Sequence, residues 1–398
     1  MFRNVPTYDG DPILSLQQEF RRDLRTDCVN MSIGLYYDGN GQVPILQSVR
    51  MARAALDGTE PAPGYLPMGG DPSYCGAVQA LIFGEASRDV CDGRIATIQT
   101  IGGSGALKVG ADFLHGLYPH SGVWVSDPTW DNHRAIFDGA GFTVGSYPYF
   151  DSRLNRVDFD LMLAFLSTLP PESIVILHPC CHNPTGADLS TGQWDALIDV
   201  AVSRRLIPFM DMAYQGFGAS IDEDCYAIRA MVNADLSFLV SHSFSKIFSL
   251  YAERCGSLSV VCSTPQEVKS VHGQLQFAIR RNYSSPPAMG ARVVAHILND
   301  PEQREGWLRE VDRMRGRIQE MRIALYDAMI VQRDDQDMGF LLRQRGLFSY
   351  APKLGAVAKA LREQFGIYIL DSGRLCVAGL TQTNVERVAH AFCRLVGE

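Results

Sequence analysis

Lys246 closes the tetrapeptide Ser243-Phe244-Ser245-Lys246, directly after the apolar run Phe238-Leu239-Val240, and Arg254 follows eight residues later. The chain has five lysines against 31 arginines, so a lysine at this spot calls for a reason. A strand that ends in hydroxyls, a lone amine and a nearby guanidinium has the parts to hold a phosphorylated aldehyde. The amine would form a Schiff base, and the hydroxyls and Arg254 would bind the phosphate. Alone, the tetrapeptide is weak evidence, and an exposed loop lysine is the plainer reading.

Four further segments supply matching chemistry, each open to a plainer reading when taken singly. Gly102-Gly103-Ser104-Gly105-Ala106 opens a helix and offers backbone N–H groups, a positive dipole end and a hydroxyl to an anion. Its glycine spacing is not that of a dinucleotide fingerprint. Asp211 ends the run Ile207–Met210, with Tyr214 three residues on. A carboxylate there would hold a protonated pyridine nitrogen, and the phenol would donate to the ring oxygen, whereas the plain alternative is a helix cap or turn. Asn183-Pro184-Thr185-Gly186 offers an amide able to bond both a ring oxygen and a substrate carboxylate, and its proline makes a cis bond plausible, as does Asp127-Pro128. Arg374, in Ser372-Gly373-Arg374, is suited to bidentate carboxylate binding, with a surface salt bridge as the alternative. Cys180-Cys181, set between His178 and His182, invites a metal. Adjacent residues on extended backbone point to opposite faces, however, so buried structural thiols are expected and no metal is assigned.

These residues need elements to carry them. Between about 95 and 262, short apolar runs (Val123–Val125, Ile174–Leu177, Ile207–Met210, Phe238–Val240, Leu258–Val261) alternate with helical stretches at 104–116, 157–168 and 191–204. That pattern predicts an α/β fold with a mostly parallel sheet covered by helices on both faces, binding its ligand outside the carboxyl ends of the strands. Leu308, Val311, Ile318, Met321 and Leu325 share one face of a long helix over about 302–330. The helix reads as a bridge into a smaller α/β unit: helix 353–364, strand Ile367–Leu370, strand Arg374–Ala378 and helix 382–395. The first 12 residues read as an extended arm.

A length of 398 residues accommodates two such domains, and a net charge of -8 with no long basic run argues against nucleic acid or an anionic membrane. No apolar stretch reaches the length of a membrane span, and the N-terminus lacks the apolar core of a signal peptide. Irregularly spaced cysteines fit reduced thiols and a cytoplasmic setting.

With these segments in view, the whole chain resembles the class I, fold-type I aminotransferases that use pyridoxal 5'-phosphate, and within them the bacterial aromatic-amino-acid (tyrosine) branch. The matching strings run in family order: Asp11-Pro12-Ile13-Leu14, Ser32-Ile33-Gly34-Leu35-Tyr36-Tyr37, Tyr65-Leu66-Pro67-Met68, Gly102 to Leu107, Asp127-Pro128-Thr129-Trp130, Cys180 to Gly186, Ala213 to Phe217, Ser243 to Lys246, Asn282 to Pro287 and Ser372-Gly373-Arg374. The resemblance implies an arm over 1–12, a small domain from 13–43 and 314–398, and a large cofactor-binding domain over 44–313. It implies that Lys246 carries the cofactor and shuttles the proton, and that Asp211, backed by His133, pairs with the pyridine nitrogen. Tyr214 and Asn183 would bind the ring oxygen, and Trp130 would stack on the ring. Gly103, Ser104, Ser243, Ser245 and Arg254 would line the phosphate site, joined by Tyr65 from the second subunit of a homodimer. Arg374, helped by Gly34 and Asn183, would hold the substrate α-carboxylate with Phe348 packed nearby. Arg280, also from the other subunit, would meet a distal carboxylate.

The implied reaction is reversible ping-pong transfer of an amino group from tyrosine, phenylalanine or aspartate to 2-oxoglutarate. Ser104, Ser285 and Tyr37 favour the aromatic branch over its nearest rival, a broad-specificity aspartate aminotransferase. Gly64, Leu347 and Asp371 depart from the family pattern. So does His242, which is expected to be a surface or core filler. A serine acyl-transferase built on Ser243-x-x-Lys246 would need Ser-Asp-Asn and Lys-Thr-Gly strings, and neither occurs. A transcription regulator would need an added basic DNA-binding domain, for which the chain has no room.

Overall fold

The computed structural model describes residues 2–8, 10–57, 64–332 and 338–396. Met1 and Asp9 of the expected arm lie outside the described residues. The chain divides into two compact units, Pro44–Gly316 and a second unit made of Met1–Val43 with Arg317–Glu398.

The larger unit is organised by a seven-stranded sheet. Its order runs Ile95–Ile101, Cys255–Val261, Phe238–Ser243, Ile207–Met212, Ile174–Leu177, Val123–Asp127, Val144–Pro148. The pairings are parallel except for Cys255–Val261, which is antiparallel to both its neighbours. Side chains on successive residues face opposite ways, and both sets are buried. Ser241 and Ser243 meet the helix Gly102–Leu117 at Gly103, whereas Phe244 meets Tyr74 of the helix Pro72–Phe83. Apolar residues on both faces are what a sheet sandwiched between helices requires, and this is why the strands read as unbroken apolar runs. Gly110 lets the helix Gly102–Leu117 lie close on the sheet, since a Cβ there would stand 2.5 Å from Phe209 Cζ.

Two strands of this sheet escaped the sequence reading. Ile95–Ile101 carries Thr97, Gln99 and Thr100 and is nonetheless wholly or largely buried, while Val144–Pro148 holds a glycine at 145. That glycine is demanded by its neighbour, because a Cβ would sit 2.5 Å from the Trp124 ring across the pairing Trp124↔Gly145. Four predicted strands also run further than expected, as Val123–Asp127, Ile207–Met212, Phe238–Ser243 and Cys255–Val261. Ile207–Met212 and Phe238–Ser243 pair at Asp211↔Ser241 and Met212↔His242, so Asp211 and Ser243 lie within the strands rather than beyond them. Backbone pairing is made by N–H and C=O groups and so continues through polar side chains.

The long helix is Pro301–Gln332. In the smaller unit, Met321, Leu325 and Met329 from its last part join Leu354, Leu361, Ile367, Leu375, Val388 and Phe392 in one core. The predicted helix 353–364 is split into Pro352–Ala356 and Ala358–Phe365, and the strands are short: Ile367–Tyr368 beside Val29–Asn30, and Arg374–Cys376 beside Phe348–Tyr350. The last helix is Val385–Val396. Among the described residues no helix is long and apolar enough to cross a membrane.

Candidate active site

Four strand ends of the sheet deliver side chains to one buried cluster. Asp211, 5 % exposed, takes a 2.9 Å hydrogen bond from His133 Nε2. A carboxylate can only accept, so the Nε2 atom carries the hydrogen, and Thr129 Oγ1 donates to Nδ1 at 2.8 Å when the ring is neutral. Burial works against the Asp211 charge. The bond from His133 and the positive charge of Lys246 outweigh it, holding the carboxyl below its ordinary range. His178, which follows the next strand, packs against His133 with ring centres 5.1 Å apart, and burial drives its pKa down to about 3. Asp211 therefore remains a buried anion, which suits a cationic ring nitrogen.

Lys246 Nζ lies over the Tyr214 ring at 4.6 Å from its centre. Asn183 is buried and joined to Pro184 by a cis peptide, and Asp127–Pro128 is likewise cis. Trp130, half-buried, stands edge-on to His133 at 5.3 Å. The structure thus gathers Asp211, His133 and Trp130, and sets Lys246 on Tyr214.

An anion cradle is built separately at the start of the helix Gly102–Leu117. Its first turn has no side-chain cap, which leaves N–H groups for a ligand. Gly102 has φ +72°, and a Cβ there would come within 2.7 Å of an Arg254 guanidinium nitrogen. A Cβ on Gly103 would press Ser243 Cβ at 3.2 Å. Arg254 donates to Ser245 Oγ at 3.4 Å and to the Tyr251 carbonyl at 3.1 Å. Glycines at 102 and 103 thus bring backbone N–H groups up against a guanidinium and serine side chains, the donor set that binds a phosphate-like group. With the buried carboxylate and the amine, the residues fit a phosphorylated pyridine aldehyde: anion site, ring-nitrogen partner and aldehyde partner are all present.

The smaller unit holds its own constellation. Arg374 is buried, donates to the Ser32 carbonyl at 2.8 Å and lies 4.4 Å above the Phe348 ring. Gly34 makes room for that ring, since a Cβ would stand 2.7 Å from Phe348 Cζ. Arg322 fixes the strand beneath by donating to the carbonyls of Phe348 and, at 2.8 Å, of Gly346, and to Ser349 Oγ at 2.6 Å. Among the described residues, Tyr65 and Arg280 join no buried cluster of their own chain. Tyr65 is fully exposed, and Arg280 is exposed and bonded to Ser284.

Several contributors went unread in the sequence. Ser241, which bonds the Gly103 carbonyl at 3.2 Å, was signalled by its two-residue spacing from Ser243. Thr129 was signalled by its four-residue spacing from His133. His242 is a core residue, bonded through Nε2 to Gln215 Oε1 at 2.7 Å. The vicinal cysteines do not diverge as extended backbone would require: Cys181 has φ +52°, and both thiols come within 4.8 Å of Asp224. That carboxylate is already committed to three backbone N–H groups, of Gly216, Gly218 and Ala219, at 2.7, 3.0 and 2.8 Å, so it staples the turn after Tyr214.

Comparison with known proteins matches residues 26–392 to the family model "Aminotransferase class I and II". The chain is 54% identical over 398 residues to the aromatic-amino-acid aminotransferase of Escherichia coli (strain K12), covering 100% of both. It is 44% identical over 396 residues to an aspartate aminotransferase of Pseudomonas aeruginosa, again covering 100% of each. Among solved structures it resembles an aromatic-amino-acid aminotransferase from Burkholderia pseudomallei covalently bound to pyridoxal phosphate. That likeness has a TM-score of 0.96 and 45% identity, and covers 100% of this chain and 99% of the other.

Proposed function

Because the chain belongs to the class I and II aminotransferases, we propose that Lys246 is its catalytic amine and that the residues gathered around Asp211 and Gly103 hold its cofactor. The protein is a pyridoxal-phosphate transaminase that moves an amino group reversibly between aromatic amino acids, or aspartate, and 2-oxoglutarate. The cofactor, when bound, supplies an electrophilic aldehyde carbon and a protonated ring that accepts the electron pair left when substrate Cα loses its proton.

The chain's own residues do the rest. Asp211 keeps the ring nitrogen protonated, and His133 with Thr129 orients the carboxylate. Tyr214 O–H and the Asn183 amide donate to the ring oxygen, and Trp130 covers the ring face. Gly103, Ser104, Ser243, Ser245 and Arg254 take the phosphate. Lys246 Nζ would take the proton from substrate Cα and return it during the reaction, a role that needs the amine neutral and close. Arg374, braced on the Phe348 ring beside Gly34, takes the substrate α-carboxylate as a bidentate partner. The observation that carries this reading is the buried Asp211–His133 pair, with Asp211 on the strand beside the one that leads to Lys246, whose amine is held over Tyr214.

The active form is a homodimer with shared sites, in which Tyr65 and Arg280 serve the other subunit's phosphate and distal-carboxylate positions. Supporting this, Met51, Tyr65, Met68, Phe277 and Met289 are large apolar side chains left exposed within the larger unit. A cytoplasmic setting accords with thiols such as Cys225 and Cys255, which burial pushes up to about 12 and so keeps protonated. Half-reaction rates for tyrosine, phenylalanine and aspartate on one preparation test the function. Amine-dependent spectral change with all three is expected, and none with tyrosine or phenylalanine would refute the aromatic assignment.

A further inference from the structure

Gln99 is fully buried in the edge strand Ile95–Ile101, where an apolar residue would fill the space as well, and it binds two separate segments. Its backbone N–H donates to the Gly69 carbonyl at 2.8 Å, so the segment after Tyr65 runs along the free edge of the sheet. Its side-chain oxygen accepts from the Asp71 N–H at 3.2 Å, and its side-chain nitrogen donates to the Pro287 carbonyl at 2.6 Å. Tyr283 O–H reaches its backbone carbonyl at 3.4 Å. Ser285 Oγ ties the two segments directly by donating to the Leu66 carbonyl at 2.8 Å.

Gly70 is an independent sign that this contact is built in. It has φ +92°, and a Cβ there would fall 2.2 Å from Gln99 Cβ. The first segment begins with Tyr65. The second follows Arg280 by three residues and contains Ser284, to which Arg280 is bonded. One buried amide, together with the Ser285–Leu66 bond, thus spans the two segments that carry the exposed groups proposed to act across the dimer.

We infer that Gln99 is a positioning residue for the active site of the other subunit, fixing Tyr65 and Arg280 relative to each other. The inference rests on the shared-site reading above. Its consequence is that removing the amide leaves the site built on the same chain's Lys246 intact and damages the one opposite.

Heterodimers in which one subunit carries Lys246→Ala test this, because only the site on the other subunit's Lys246 then turns over. With Gln99→Met on the Lys246→Ala subunit, KM for aspartate and the dissociation constant of maleate, an unreactive dicarboxylate, should each rise about tenfold, the scale of a lost buried hydrogen bond. Tyrosine, with no distal carboxylate, should be affected less. With Gln99→Met on the subunit that keeps Lys246, both constants should match the hybrid carrying no change at 99. Gly70→Ala, which pushes the same contact apart from the other side, should reproduce the pattern if Gln99→Met fails to fold. Equal damage in both arrangements, or damage that follows the Lys246-bearing subunit, would overturn the inference in favour of a structural role. So would no damage in either. Arg280→Ala in the same two arrangements separates the layers. If Arg280 behaves in trans and Gln99 does not, only the inference falls; if Arg280 does not, the shared-site reading falls with it.

Discussion

Replacing Asp211 by asparagine keeps the side chain's shape and removes its charge. Two unit charges 4 Å apart interact by about 1 kcal/mol in bulk water but by about 4 kcal/mol at the effective dielectric near 20 that describes protein sites. Asp211 is 5 % exposed and backed by His133 rather than water, which places it at the larger figure. At about 1.4 kcal/mol per tenfold, the variant should lose roughly a thousandfold in the rate of the half-reaction with tyrosine. Asp211→Glu, which retains the charge, should lose far less. The assay is single-turnover absorbance on protein whose cofactor content has been measured, so that rate and occupancy are separated. The sign with pH follows from the lowered pKa. The charge and the stability linked to it are fully present above the ordinary carboxylate value and are lost as pH falls through the depressed one. Wild-type activity should therefore show no fall attributable to Asp211 near neutrality. An Asp211→Asn enzyme with full cofactor and less than about a tenfold loss would refute the ring-nitrogen role, since removing a buried charge beside a cationic ring should cost far more.

Arg374→Ala should weaken every amino acid substrate by about 2–5 kcal/mol, measured as kcat/KM, because a buried charge-assisted pair is lost. Arg280→Ala should harm aspartate and 2-oxoglutarate far more than tyrosine, and equal losses would exclude a distal-carboxylate role. Gly102→Ala should speed release of the cofactor in a dilution assay, since its Cβ would stand 2.7 Å from the Arg254 guanidinium. Asp224→Ala should cost about 2–5 kcal/mol in urea unfolding, because three backbone N–H groups lose their acceptor in a buried turn.

The residues proposed to do chemistry at strand ends were legible because the runs before them are apolar on both faces: Asp211 after Ile207–Met210, and Lys246 after Phe238–Val240. Period and polarity change together there, and the change is visible in one dimension. Ile95–Ile101 was not legible, because its buried polar residues are satisfied by partners far along the chain. Thr97 bonds Ser259 at 2.8 Å, and Gln99 bonds Pro287. A polar residue that satisfies itself at a distance looks exposed in sequence. The same holds for His242, whose partner Gln215 lies on another segment. The Cys180-Cys181 geometry was hidden for a different reason. The left-handed turn at Cys181 is set by Asp188, which accepts from the Cys181 N–H and the His182 N–H, each at 2.8 Å. Tyr65 and Arg280 were named through family resemblance rather than any local pattern, because an exposed side chain in one chain carries no sign of what it faces in another.

That one particular lysine of the five carries the cofactor is open to direct chemical proof. Reduction of the holoprotein with borohydride, followed by proteolysis and mass analysis, fixes the adduct to a residue. The expected result is a single modified peptide containing Lys246, absent after prior reaction with tyrosine, which moves the cofactor into its amine form. An adduct at Lys108, Lys269, Lys353 or Lys359 in place of Lys246 would contradict the assignment.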